Sequence, residues 1–323
     1  MTRVNIIMYH YVRDLTHSRY PAITGLDAAL FRRQMDFLKN EFTIIRMEEL
    51  LAGLAGGNLP DNAALLTFDD GYLDHYTMVF PCLDEMGVQG SFFPPSRVLA
   101  AKVVLDVNKI HFILASADAK KVYQALRREI RAHQGTEFYI PDLETFMEKY
   151  AVPHRFSYGE VVFIKQMLQK ILPERLRAVI ADKLFREFVG VDEAVMNREL
   201  YCDAAQLLTM KRHGMFIGLH GFNHEWLGEM APAEYELDID KSLDYMDSAG
   251  LIDRGAWVMN YPSGSWSGGV VDYIRAKACL AGLTTKPGQA DLETDDRLLL
   301  PRLDTNDFPP KSEEYKSFHG PGA

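Results

Sequence analysis

Two apolar runs in this chain, Ala63-Ala64-Leu65-Leu66 and Met215-Phe216-Ile217-Gly218-Leu219, each break off into residues that a protein core does not accept bare. The first leads into Thr67-Phe68-Asp69-Asp70-Gly71 and the second into His220-Gly221-Phe222-Asn223-His224. Short apolar runs of this kind read as buried strands. Two adjacent carboxylates at the end of a buried strand are costly unless something cationic holds them. One carboxylate with two histidines is a three-ligand set that leaves a divalent metal an open position for water. The other carboxylate is then free to act as a base on that water.

The rest of the chain supplies a frame for such a site. Strands are predicted at Val4 to Met8, Thr43 to Ile45, Leu65 to Phe68 and Gly90 to Phe93. They resume at Phe216 to Leu219, Ala256 to Asn260, Leu283 to Thr285 and Arg297 to Leu300. Between them lie helical patterns: Asp27 to Asn40 with Asp27 as N-cap, Tyr72 to Met86 interrupted by Pro81, Ala204 to His213, Ala233 to Ser248 and Gly269 to Ala281. Strands alternating with helices imply an α/β fold with a mainly parallel sheet or barrel. The middle breaks this pattern. It is helix-rich and charged, notably over Ala119 to His133 and Phe163 to Val189, and separates the two halves of the site. We expect that sheet or barrel over residues 1–96 and 200–308, a helical insertion over 97–199 and a loosely ordered tail over 309–323. The insertion is either a cap that shapes substrate choice or a packing or dimer contact. Homo-oligomerisation is left open.

Composition narrows the partners. The 323 residues are 47% hydrophobic and 25% charged, as in an ordinary globular protein, and the net charge is -10. A nucleic-acid partner would demand a basic face, so none is expected. No apolar run reaches the roughly 18 residues of a transmembrane helix. The stretch Met1 to His10 is too short for a secretory signal and lacks a cleavage site. Cys82, Cys202 and Cys279 have no metal spacing, and an odd, sparse count fits reduced thiols. The expected location is the cytoplasm.

Further residues gather at the predicted strand ends. Tyr261-Pro262-Ser263-Gly264 forms a turn whose backbone N–H groups suit an oxyanion hole, although alone it also reads as an ordinary turn. Arg302, in Leu300-Pro301-Arg302, stands where a guanidinium could pair with a carboxylate or simply make a surface salt bridge. His10 ends the first strand. Tyr72, Trp226, Tyr261 and Trp266 lie close to the motifs and suit sugar stacking.

In this order the motifs resemble those of the polysaccharide deacetylases, the NodB-like carbohydrate esterase family 4 group. Thr67 to Gly71 matches the first motif in full, and His220 to His224 matches the second, with Gly221 where Ser or Thr is usual. The resemblance implies a distorted (β/α)7 barrel and a divalent metal, most often Zn2+. It makes Asp70, His220 and His224 the metal ligands and Asp69 the base. It departs at Asn260, where many relatives carry an arginine that orients the base, and Arg302 is the expected replacement. It departs again in lacking a late Leu-x-His acid, which leaves His10 as a candidate. The implied catalytic set is Asp69, Ser263, Arg302 and His10, with Tyr72, Tyr261, Pro262 and Trp266 toward substrate. The implied reaction removes an N-acetyl, less readily an N-formyl, group from an amino sugar of a surface-glycan precursor. The alternatives are an amidase of non-sugar small molecules on the same barrel, or a silent carbohydrate-binding barrel. The intact Asp69 weighs against the last, since metal binding alone does not need it.

Overall fold

The structure, a computed structural model, describes residues 2–135, 138, 140, 145, 149–150 and 159–318. It divides into two compact units, one of Met1–Asp14, Gly25–Lys102 and Asn197–Ala323, the other of Leu15–Thr24 and Val103–Met196.

In the first unit seven parallel strands follow one another in chain order round a ring. They are β1 (Arg3–Tyr9), β2 (Ala63–Asp69), β3 (Ser91–Phe93), β4 (Phe216–Ile217), β5 (Val258–Asn260), β6 (Ala281–Pro287) and β7 (Leu300–Asp304). Each pairs with the next, and β7 returns to β1. Between β4 and β5 a single bridge closes the ring. There the Leu219 N–H meets the Val258 carbonyl at 3.0 Å, and the Asn260 N–H meets the Leu219 carbonyl at 2.8 Å. This is the expected distorted (β/α)7 barrel. The distortion lies at short β4, where a Cβ on Gly218 would stand 2.4 Å from the Phe93 ring.

Strand alternation sorts the side chains into two layers. Ile7, Tyr9, Ala64, Leu66, Phe68, Phe92, Met259 and Leu303 face outward and share one core with Phe31, Met35 and Leu38 of the helix Ala28–Glu41. Asp27 caps that helix as predicted, accepting the Ala29 N–H. The opposite parity, with Val4, Ile6, Ala63, Leu65, Val258, Leu283 and Leu300, fills the interior. Further along the same parity come Thr67, Asp69, Asn260 and Arg302, all buried. The barrel interior is therefore apolar below and charged at the carboxyl ends of the strands, where sites on parallel barrels form.

Several boundaries differ from expectation. The strand predicted at Arg297 to Leu300 runs instead over Leu300–Asp304, which places Arg302 inside it. The helix predicted from Tyr72 is a π-type turn over His75–Val79 that continues into a helix over Phe80–Met86, with Pro81 directly after the wider turn. Residues 309–318 are packed rather than loose. Tyr315 is buried and stacks on Phe308 with ring centres 4.8 Å apart, and Gln34 donates to the Phe308 and Pro309 carbonyls. Residues 319–323 lie outside the described set.

The second unit is helical, with Asp106–Ser116, Ala119–His133, Gly159–Gln166 and Glu174–Phe188 as its main elements. Pro173 divides the long helix predicted at Phe163 to Val189. The unit begins at Val103 rather than 97 and recruits Leu15–Thr24, which has no helical pattern to signal it. Among the described residues no helix is long and apolar enough to cross a membrane.

Candidate metal centre and active site

Asp69 is the last residue of β2 and points into the barrel, where its two oxygens take three charge-compatible donors. Arg302 gives a forked pair, Nη1 to Oδ1 and Nη2 to Oδ2, both at 2.7 Å. Asn260 Nδ2 donates to Oδ1 at 2.7 Å. Arg302 is itself locked, with Nε on the Thr284 carbonyl at 2.8 Å and Nη1 on Thr67 Oγ1 at 3.1 Å. Burial opposes ionisation of Asp69, but the guanidinium outweighs it and holds the carboxyl at about 2. The strand-end arginine is thus no surface salt bridge. It lies beside Asp69, on the carboxylate that the sequence reading pairs it with.

Asp70 faces the other way because its backbone is left-handed, with φ of 75°. The turn is therefore shared between Asp70 and Gly71, where the motif alone points to the glycine. Gly71 has φ of 65°, and a Cβ there would stand 2.5 Å from Pro94 Cβ, so only glycine fits. Asp70 Oδ1 then lies 3.4 Å from His220 Nε2 and 3.2 Å from His224 Nε2. This oxygen is buried without a hydrogen bond of normal geometry. Burial disfavours its charge, yet the two imidazoles hold Asp70 well below the usual carboxylate range. For His224, burial pulls the pKa down and Asp70 more than reverses it.

One carboxylate oxygen and two imidazole nitrogens within 4.8 Å of one another fit a divalent cation of the zinc type. Their surroundings fit it as well. His220 Nδ1 donates to the Asn260 carbonyl at 2.7 Å, which fixes the tautomer and leaves Nε2 as the nitrogen that could hold a cation. The Tyr72 hydroxyl donates to Asp70 Oδ2 at 2.6 Å, on the oxygen not facing the histidines.

His10 follows β1, is exposed, and places Nε2 3.7 Å from Asp69 Oδ2. Its carbonyl accepts from buried His75 Nε2 at 2.8 Å. A carbonyl only accepts, so His75 Nε2 carries the proton, and burial keeps that imidazole neutral with a pKa of about 4. Ser263 is exposed on the turn after β5 with φ of 53°, and Trp266 beyond it is 46% exposed.

Three residues expected to touch substrate do not present themselves for it. Tyr72 is fully buried, stacked on Tyr11 at 3.9 Å, and commits its hydroxyl to Asp70. Tyr261 is fully buried with its hydroxyl on the Leu298 carbonyl at 2.9 Å, and Pro262 is buried beside it. Nearness to a motif in sequence does not imply exposure. Asn260 does more than the sequence suggests. It stands where the resemblance leads one to expect an arginine, yet its side chain donates to Asp69 and its carbonyl accepts from His220. Its interior parity on β5, shared with Val258, is the signal the sequence offers.

A barrel with an Asp-Asp pair on one strand end and a His pair on another defines a class. The polysaccharide deacetylase family model matches residues 186–281, which takes in His220, His224 and Asn260. The chain has the fold of those enzymes. The Streptococcus pyogenes deacetylase PplD, solved with acetate, superposes with a TM-score of 0.61 at 17% identity over 98% of this chain and 99% of that one. A de-N-acetylase from Aggregatibacter actinomycetemcomitans gives 0.57 at 16% identity over 98% and 100%. IcaB from Ammonifex degensii gives 0.55 at 16% identity over 98% and 95%. At these identities the likeness is one of fold. No curated protein matches the sequence.

Proposed function

We propose that this protein is a metal-dependent N-deacetylase acting on an N-acetylated amino sugar of a surface polysaccharide or its precursor. The observation that carries the reading is the division of labour between adjacent carboxylates. Asp70 turns to His220 and His224, while Asp69 turns to Arg302 and Asn260. A site meant only to hold a cation has no use for the second arrangement. The family match over residues 186–281 supports a hydrolytic deacetylase, and the deacetylases named above share the fold.

Asp70, His220 and His224 would hold the cation. When bound, it supplies Lewis acidity to the amide carbonyl and a lowered pKa to water. Asp69 receives the water proton at the oxygen its donors leave most open, and Arg302 keeps that carboxylate charged and aimed. The Ser263 N–H is the proposed donor to the carbonyl oxygen as it gains charge. His10 is the proposed acid that protonates the leaving amine, since its Nε2 lies 3.7 Å from the base. With Tyr72 and Tyr261 buried, Trp266 and half-buried Trp226 are the aromatics near the motifs that can stack on a sugar. A cytoplasmic precursor substrate is part of this proposal, supported by three buried, free cysteines. The test is acetate release from a panel of N-acetylated sugars and non-sugar acetamides, run on protein of measured metal content. Release from sugars supports the reading, release from non-sugars alone favours the amidase, and no release from any member refutes it.

A further inference from the structure

The segment between the two histidine ligands, Gly221-Phe222-Asn223, is held on both edges by groups that touch no ligand. On one edge the Gly221 carbonyl accepts the Ser96 N–H at 3.1 Å and the Ser242 hydroxyl at 3.1 Å, and the Phe222 carbonyl accepts the Arg97 N–H at 3.0 Å. On the other edge one side chain does the holding. Asp238, from the helix Pro232–Ser248, accepts the Phe222 N–H on Oδ1 at 2.7 Å and the Asn223 N–H on Oδ2 at 2.9 Å. Asp238 is 2% exposed. Both oxygens of a buried carboxylate are thus devoted to two consecutive peptide N–H groups midway between His220 and His224.

The backbone here is not one a chain adopts freely. Gly221 has φ of 66° and His224 has φ of 60°, the latter uncommon for a residue with a side chain. A Cβ on Gly221 would stand 3.0 Å from Asp238 Oδ1 and 3.3 Å from Pro262 Cγ. Glycine at this position, where the family resemblance leads one to expect Ser or Thr, is what lets the carboxylate reach the loop. A loop with two left-handed residues relaxes unless its N–H groups are satisfied, and relaxing it would carry His224 away from Asp70.

We propose that Asp238 is a positioning residue of the metal site, which holds the loop between His220 and His224 in the conformation that lets both imidazoles converge. It acts through the loop backbone, not on the metal or the substrate. The inference rests on the metal reading given above. Groups of this kind, one step removed from the ligands, typically account for 10- to 100-fold in metal affinity.

The experiment is Asp238→Asn, read as zinc affinity by chelator competition, with the thermal midpoint of the metal-free protein measured alongside. An asparagine keeps the volume but turns an N–H2 toward one of the two loop donors. The expected result is a loss of zinc affinity of roughly 10- to 100-fold with a near-unchanged metal-free midpoint, and faster amide exchange at Phe222 and Asn223. Gly221→Ala provides a second variant should Asp238→Asn fail to fold, and is expected to weaken zinc in the same direction. Unchanged zinc affinity in a folded variant overturns the proposal. So does an affinity loss fully matched by collapse of the metal-free midpoint, which would make Asp238 a residue of the fold alone. His220→Ala is the control. If zinc binding survives there, the metal reading itself fails, whatever Asp238 does.

Discussion

Arg302 and Asp69 meet across the barrel interior in a forked, fully buried pair, with both N–H···O distances at 2.7 Å. The pair lies on β7 and β2, which are not hydrogen-bonded neighbours, since β1 runs between them. The register of three strands therefore determines how the Asp69 carboxylate is oriented. A guanidinium matches a carboxylate with two parallel donors, which an ammonium cannot do. Arg302→Lys should keep the charge and lose the aim, with turnover falling about 100-fold. Wild-type kinetics in this variant would show that the fork is not what orients Asp69.

The same pair predicts a pH signature in stability. In the folded protein Asp69 is depressed from 3.8 to about 2. A depressed carboxylate contributes stability that is present above its unfolded pKa and is lost as pH falls through the folded one. Arg302→Met removes the partner and leaves a buried carboxylate whose pKa must rise. The variant should be less stable by roughly 3–5 kcal/mol at pH 7. The gap should narrow on acidification to pH 3, as Asp69 protonates first in the variant. Denaturant unfolding at the two pH values measures it, and a gap that widens toward pH 3 would contradict the assignment.

His75 gives the same sign in a different window. Burial lowers its pKa from 6.5 to about 4, so the unfolded chain binds the proton first. Stability should fall by about 3 kcal/mol as pH drops from 6.5 to 4. His75→Gln should flatten that slope in urea unfolding. An unaltered slope would mean that His75 is not the neutral donor to the His10 carbonyl.

Much of the fold and site is legible in the sequence, for reasons that differ by residue. Asp69, Asp70, His220 and His224 announce themselves because ionisable side chains at the ends of buried apolar runs are costly unless they pair or bind a cation. The barrel follows from the alternation of periods. Arg302 is legible as a candidate, but its strand is predicted too early, ending at Leu300 one residue before Pro301. Proline is tolerated where its missing N–H has no partner to disappoint, and the pairing of β7 with β6 shifts register between Leu300 and Arg302. Asp238 is illegible, since an acidic residue in an amphipathic helix reads as solvated until the fold turns it inward. Tyr72 and Tyr261 show the converse error. An aromatic beside a motif is as easily core as platform, and burial is decided by distant partners such as Tyr11 and Leu298.

The burial of Tyr72 changes what its substitution should do. Tyr72→Phe keeps the ring stacked on Tyr11 and removes only the hydrogen bond to Asp70 Oδ2. It should weaken zinc binding by roughly tenfold and leave KM for substrate near wild type once metal is saturating. A raised KM with unchanged zinc affinity would return Tyr72 to the role of a substrate contact.

Asp69→Asn tests the division of the two carboxylates. On the proposed reading, in which Asp69 is the base and Asp70 the ligand, turnover should fall by about 100- to 10,000-fold with zinc content unchanged. Joint loss of zinc and activity would show the two roles to be assigned the wrong way round.

The most direct test of the whole account is acetate release from an N-acetylated amino-sugar oligomer by the wild-type protein, followed through chelation and restoration of zinc. The account predicts acetate release that stops when the metal is stripped and returns when about one equivalent of zinc per chain is added back. Release that continues undiminished in metal-free protein, or no acetate from any N-acetylated sugar at full zinc occupancy, would contradict it.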